Sequence, residues 1–390
     1  MIPRIIENQL KIHLFEGRAL ILYGARRVGK TTLTQTILSQ YPGKKPKYIN
    51  CELVANKQAL EIHDPSQLKN FIGDSELVAL DEAQNIEGIG RTIKIIVDAY
   101  PNIQIIATGS SSFELANKTA ESMAGRMYTF MLYPFSVGEI EQGKGYGEIE
   151  SRLENLLRFG SYPEVIDQTE DVARRRLDEL ISTYLYKDVL TFSGMKNSKL
   201  IVNLLQLLAL QIGSEVSYNE LATTLGIDRL TVIKYIDLLE QSFIVFTLRT
   251  LSRNPRNEIS KSVKIYFYDL GIRNSLIQAY NPMGIRTDVG ALWENFCIVE
   301  RRKLVKYLPL HRNTYFWRTY DQKEIDYIEE HDNIFEGFEF KWGVHDKQFK
   351  VPQKFTDMYK HSTVKRIDKS NYWQFLLPNL VKEKEMKIKA

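Results

Sequence analysis

The chain has 390 residues, a formal net charge of +4 and a pI near 8.7, long enough for two or three domains that each bury a core. Its two cysteines, Cys51 and Cys297, exclude a disulfide framework and point to a cytoplasmic protein. The mild positive charge permits a nucleic-acid partner without requiring one.

The amino terminus, MIPRIIENQLKIHLFEG, is interrupted by charge every few residues and does not read as a leader peptide. The next segment, LILYGARRVGKTTLTQ, places a buried strand over residues 19–23 and a helix over 31–40 on either side of a glycine-rich turn. Gly24, Ala25, Arg26, Arg27, Val28, Gly29, Lys30, Thr31 and Thr32 have the spacing of a phosphate-binding loop (Walker A) for ATP. Its glycines let backbone N–H groups turn towards an anion, and the following helix offers its positive end. Lys30 is expected to reach the β- and γ-phosphates, and Thr31 to ligate Mg²⁺. The alternative is an ordinary strand-to-helix turn.

SELVALDEAQ is an apolar strand over residues 77–80 that runs into Asp81 and Glu82, the form of a Walker B segment. Neighbouring residues on a strand point in different directions, so Asp81 can approach the Mg²⁺ shell while Glu82 orients the attacking water. A strand ending in an acidic helix cap is the plainer reading. A third strand, NIQIIATGSSS, ends in Ser110 and Ser111, either of which can sense the γ-phosphate, or which form a simple loop. Arg126, in an Ala-Gly-Arg turn, either completes charge neutralisation in its own or a neighbouring subunit or pairs with a surface carboxylate.

The order LYGARRVGKTT, LDEAQ, TGSSSF, AGR, LYPFS and FGSYPEVI resembles a large prokaryotic group of AAA-type ATPases that carry a C-terminal domain of unknown function. These are usually described only as ATP-binding proteins. The resemblance runs from residue 2 to about residue 359. It implies an α/β multidomain chain: an AAA-like P-loop NTPase domain (1–150), a helical linker (151–200), a winged helix (201–283) and a C-terminal restriction-endonuclease-like α/β domain of the PD-(D/E)xK nuclease-like kind (284–390).

Read from the residues alone, LENLLRFGSYPEVI and RRRLDELISTYLYKDVL give two helices about a Gly-Ser-Tyr-Pro turn, with Arg174 to Arg176 on a solvated face. LIVNLLQLLALQI is a core helix, too short for a bilayer and carrying Asn203, Gln206 and Gln211. SYNELATTLGIDRLTVIKYIDLLEQSFIV has the layout of a helix-turn-helix with its turn at Gly226. Arg229 and Lys234 on its second helix are offset by Asp237 and Glu240, a poor surface for phosphates. The following strand pair, with Arg249, Arg253, Arg256, Lys261 and Lys264, is the better candidate for DNA contact; the alternative is a packing module.

In the last segment, EIDYIEEHDNIFEGFEFKWG reads as two strands joined at Asp332 and Asn333. Asp326 lies on the first and Glu339 and Lys341 on the second, where residues two apart share a face and leave Phe338, Phe340 and Trp342 for the core. That is the D…ExK pattern of a metal-dependent phosphodiesterase, with Asp326 and Glu339 holding Mg²⁺ and Lys341 positioning or deprotonating water. Glu294, on a preceding helix, resembles the acidic residue that completes such sites. Surface strands pair Glu with Lys routinely, so the pattern gains weight only from its upstream partners. Arg318 either contacts a phosphate or covers the sheet edge.

Two readings follow. In one, Mg²⁺-dependent ATP hydrolysis drives a DNA-acting enzyme whose winged helix locates substrate and whose end domain cuts it. In the other, the protein is an ATP-dependent switch or scaffold whose C-terminal modules bind a protein partner without catalysis. No membrane partner is expected, and an arginine acting in trans would require a homo-oligomer.

Overall fold

The computed structural model describes residues 2–110, 123–182, 198–252, 263–308, 310–319, 321–344 and 351–377. The chain divides into two compact units, one of residues 3–135 with 241–243, the other of residues 1–2, 136–240 and 244–390.

The first unit runs α1 (Ile5–Ile12), β1 (Ala19–Tyr23), α2 (Lys30–Ser39), β2 (Lys47–Asn50), α3 (Val54–Leu60), α4 (Pro65–Ile72), β3 (Leu77–Asp81), α5 (Ile89–Ala99), β4 (Gln104–Gly109) and β5 (Met127–Met131). The five strands form one sheet in the order β2-β3-β4-β1-β5, parallel throughout. Every residue of β1, β3 and β4 is buried, which is why they read as near-continuous apolar runs instead of alternating. α5 buries Ile89, Ile93, Ile96 and Val97, the three-and-four spacing of a one-sided helix. α4 begins where Asp64 accepts a hydrogen bond from the Gln67 amide at 2.9 Å and Pro65 sets the first turn.

The second unit opens with α6 (Val137–Lys144), α7 (Tyr146–Phe159), α8 (Glu170–Leu180) and α9 (Ser198–Leu210). The Gly-Ser-Tyr-Pro turn after α7 is held by a specific contact. Gly160 has φ +73° and lies against Asp269, where an added Cβ would stand 2.0 Å from Oδ1, while the Ser161 amide donates to the same carboxylate at 2.7 Å. Arg174, Arg175 and Arg176 are exposed, as expected.

β6 (Glu215–Val216), α10 (Tyr218–Leu225), α11 (Arg229–Gln241), β7 (Val245–Thr250) and β8 (Val263–Phe267) follow. The turn between α10 and α11 contains Gly226 at φ +66°, the left-handed conformation that ends a helix at little cost to glycine. α12 (Leu270–Leu276), α13 (Val289–Tyr307), β9 (Asn313–Arg318), β10 (Glu324–His331), β11 (Ile334–Phe340), α14 (Gln353–Met358), β12 (Ser362–Ile367) and α15 (Tyr372–Leu376) complete the described chain. Asp332 and Asn333, at φ +50° and +62°, make the two-residue turn between β10 and β11.

The strand pair after α11 and the strands of the end segment are one seven-stranded sheet, in the order β12-β11-β10-β9-β7-β8-β6. The join is a short parallel pairing of β7 with β9, Arg249 opposite Tyr315 and Thr250 opposite Phe316, extended by the Leu251 amide donating to the Phe316 carbonyl at 2.7 Å. β9 is therefore an interior strand, and Arg318 at its end does not cover a sheet edge; it lies 3.3 Å from Glu215 and 3.4 Å from Glu324.

Candidate functional site

The first candidate site lies at the C-terminal ends of β1, β3 and β4, where ligands of parallel α/β sheets collect. The loop 24–29 leaves β1 through Gly24, whose added Cβ would stand 2.2 Å from the Leu132 carbonyl oxygen, so no side chain fits. Arg27 and Gly29 take left-handed φ values of +59° and +99° before α2 begins at Lys30. Val28 is fully buried and Ala25 nearly so, while Arg27 and Thr32 face solvent and Arg26 is half-buried. Lys30 is buried and folds back into the loop, donating to the Gly24 and Ala25 carbonyls at 2.9 Å each.

The Thr31 hydroxyl donates to Asp81 Oδ2 at 2.9 Å, so the loop helix and the end of β3 meet through the two side chains expected to serve a Mg²⁺ ion. Asp81 also accepts from the Tyr48 hydroxyl at 2.6 Å and the Thr108 hydroxyl at 2.5 Å. Burial and the bond to Asp81 both raise the Tyr48 phenol, and burial with the Asp81 charge pushes the Cys51 thiol up to about 12. Glu82 follows in a left-handed conformation, φ +53°, with its amide donating to the Thr108 hydroxyl at 3.1 Å. Gln84 bridges the Glu82 carboxylate and the Ser110 hydroxyl, the latter at 3.1 Å. Lys30, Thr31, Asp81, Glu82 and Ser110 thus converge, joined by Tyr48, Thr108 and Gln84, which spacing alone does not reveal. Tyr48 and Thr108 reach Asp81 only because β2 and β4 flank β3. Ser111 lies outside the described residues.

Arg126 does not join this cluster in its own chain. Its carbonyl accepts from the Ala19 amide, level with the start of β1, whereas the phosphate loop follows Tyr23. At the strand rise of about 3.3 Å per residue the sheet's length separates them, and Arg126 pairs instead with Asp98 at 2.6 Å.

The second candidate site lies on the seven-stranded sheet. The pairing of β10 with β9 shifts register between Ile325 and Ile328, a bulge that buries the consecutive residues Asp326 and Tyr327. Asp326 Oδ2 accepts from the Phe340 amide at 2.8 Å, and Lys341, one residue beyond β11, lies 2.8 Å from Glu339 Oε1. Phe338 and Phe340 enter the core as expected, while Trp342 is half-buried, edge-on to Trp293. Glu294 projects from α13 to the same place, but its partners come from β8: Lys264 at 3.0 Å and the Tyr266 hydroxyl at 2.5 Å. Lys264 also pairs with Glu324.

Lys264, expected on a DNA-facing wing, is 1% exposed. It shares a strand face with Tyr266, and β8 is buried on both faces, so the sheet carries it inward. Burial alone would discharge its ammonium, but Glu294, Glu324 and Asp326 outweigh that and hold it above its ordinary value. Burial raises the Asp326 and Glu339 carboxyls and pushes Glu294 up to about 7 against the pull of Lys264. Among the described residues no group of three or more His, Cys, Asp or Glu side chains is arranged to hold a metal ion. Of the other wing residues, Arg249 is exposed, whereas Arg253, Arg256 and Lys261 lie outside the described residues.

Residues 16–141 match an AAA domain. The AAA domain coincides with the parallel sheet and its phosphate loop, and the match implies an ATPase that binds nucleotide with Mg²⁺. Two domains of unknown function follow, DUF8612 over residues 150–282 and DUF4143 over 289–374. An uncharacterized protein of Mycobacterium tuberculosis is 26% identical over 336 residues, 85% of this chain and 72% of that protein. An uncharacterized protein of Haemophilus influenzae is 24% identical over 79% of this chain and 78% of its own length. Among solved structures, AMPPCP-bound DnaA from Aquifex aeolicus matches 60% of this chain and 86% of its own, at 16% identity and a TM-score of 0.31. The Pif1 helicase of Candida albicans matches 45% of this chain and 48% of its own, at 16% identity and a TM-score of 0.27. No helix among the described residues is long and apolar enough to cross a membrane.

Proposed function

We propose that this protein is a Mg²⁺-dependent ATPase whose nucleotide state switches the C-terminal unit between partner-binding states. The observation that carries the ATPase reading is the 2.9 Å bond between Thr31 and Asp81, which sets a hydroxyl and a carboxylate side by side beneath a loop shaped for phosphate. ATP would lie along the loop backbone, with Thr31 and Asp81 holding Mg²⁺, which neutralises phosphate charge when bound. Lys30 then exchanges the Gly24 and Ala25 carbonyls for phosphate oxygens. Glu82 orients the attacking water, and Gln84 and Ser110 hold the Glu82 carboxylate until substrate arrives.

The surface of the helix-turn-helix supports a protein partner over DNA. Among the exposed positions of α11, Arg229 and Lys234 are joined by Leu230 and Asp237, a mixed face and not a basic one. A second reading, DNA cleavage by the end segment, is supported by the convergence of Asp326, Glu339 and Lys341. A role for Arg126 at the γ-phosphate would need a neighbouring subunit, hence a homo-oligomer.

Two variants test the ATPase reading. Lys30→Ala should lose tight binding of a fluorescent ATP analogue, because Lys30 serves ground and transition states alike. Glu82→Gln should keep that binding and lose phosphate release by a factor of about 100 or more, since Glu82 acts only on the water. Wild-type hydrolysis by Glu82→Gln would show that the base has been misassigned.

A further inference from the structure

The D…ExK pattern implies a divalent metal, and the residues present do not fit one. Four carboxylates gather about the bulge in β10: Glu294, Glu324, Asp326 and Glu339. Lys264 enters among them from β8, within 3.0 Å of Glu294, paired with Glu324 and 1% exposed. Lys341 takes Glu339 Oε1, Arg318 lies 3.4 Å from Glu324, and the Phe340 amide takes Asp326 Oδ2. Three cations therefore face four carboxylates, and most oxygens that would ligate a metal are already committed. Glu339 Oε2 is buried and, among the described residues, has no hydrogen-bond partner.

We infer that the Lys264 ammonium is the resident cation of this cluster, so that the end segment is an ion-paired, metal-independent module and not a metal-dependent phosphodiesterase. A divalent ion would have to enter beside a fixed ammonium that cannot swing to solvent, because strand β8 is buried along its whole length. Tyr266, two residues on, reinforces the arrangement by donating to the same Glu294 oxygen at 2.5 Å. The lysine belongs to the segment preceding the end domain, so the cluster exists only where β8 is in place.

The inference deepens the switch reading and rests on it only in assigning the end segment no cleavage. Mn²⁺ titration of the nucleotide-free full chain, followed by electron paramagnetic resonance, tests it without reference to ATP hydrolysis. Wild type and Glu339→Gln should bind the same number of ions. Lys264→Met should gain about one additional equivalent, and Lys264→Met with Glu339→Gln should lose it again. One more ion in wild type than in Glu339→Gln overturns the inference; so does a folded Lys264→Met that gains none. Should Lys264→Met fail to fold, the wild-type and Glu339→Gln pair still decides. Loss of ATPase activity in the Lys30 and Glu82 variants bears on the first unit alone, so the two readings fail separately.

Discussion

Gly160 shows how one residue without a side chain fixes a junction of charged groups. Its left-handed φ and the 2.0 Å approach of Asp269 Oδ1 to the place of a Cβ leave alanine two faults at once, backbone strain and a collision with a buried carboxylate. Asp269 cannot retreat easily, because it accepts from the Ser161 and Ile272 amides at 2.7 and 3.2 Å, and its carboxyl is raised by burial. Gly160→Ala should therefore destabilise the second unit by about 3 kcal/mol or more. Gly147→Ala is a fair control, since its added Cβ meets nothing within 4 Å. Denaturant midpoints of the two variants should differ widely, and equal midpoints would show that Asp269 moves aside.

At the scale of elements, the parallel join between β7 and β9 means the end segment does not own its sheet. A fragment of residues 284–390 would expose the edge of β9 and strip Lys264 from Glu294 and Glu324. Unpaired strand edges and unpaired buried carboxylates both favour aggregation or unfolding. We expect that fragment to elute as aggregate, whereas residues 136–390 should give a cooperative melt; a monomeric, cooperatively melting 284–390 fragment would contradict the join. The sequence displays these elements unevenly. Lys30 and Thr31 are legible because the phosphate loop is contiguous, and Asp81 because it ends an apolar strand. Tyr48 and Thr108 are not, since their meeting with Asp81 depends on which strands lie beside β3. The burial of Lys264 is hidden for the same reason: basic residues around it suggest a surface, and only the sheet order turns it inward.

For the whole molecule, acid is the informative perturbation. Burial alone would raise the Asp288 carboxyl, but hydrogen bonds from Arg286 and Arg273 outweigh it and lower it to about 2. A carboxyl depressed in the folded state contributes stability above its unfolded value, near 3.8, and loses it as pH falls through about 2. Its contribution at neutral pH is on the order of 2 kcal/mol. Asp288→Asn should be weaker than wild type by about that amount at pH 7, and the gap should close between roughly pH 4 and pH 2. Thermal melts across that window check it; a gap that persists at the acid end would assign the loss to packing.

The sheet that carries β8 and β10 together also bears on inheritance. A crossover near residue 283, where a reader of the sequence would cut, separates Lys264 from the acids it neutralises and β7 from the strand it pairs with. A chimera that grafts the end segment onto another protein's preceding domain would import four carboxylates without their lysine. Exchange is tolerable only if the recipient supplies a strand with a basic residue at the same register, or if the donor segment begins before β6. Shuffling among such proteins is therefore expected to move the whole of residues 198–390 as one cassette, with breakpoints falling upstream of α9.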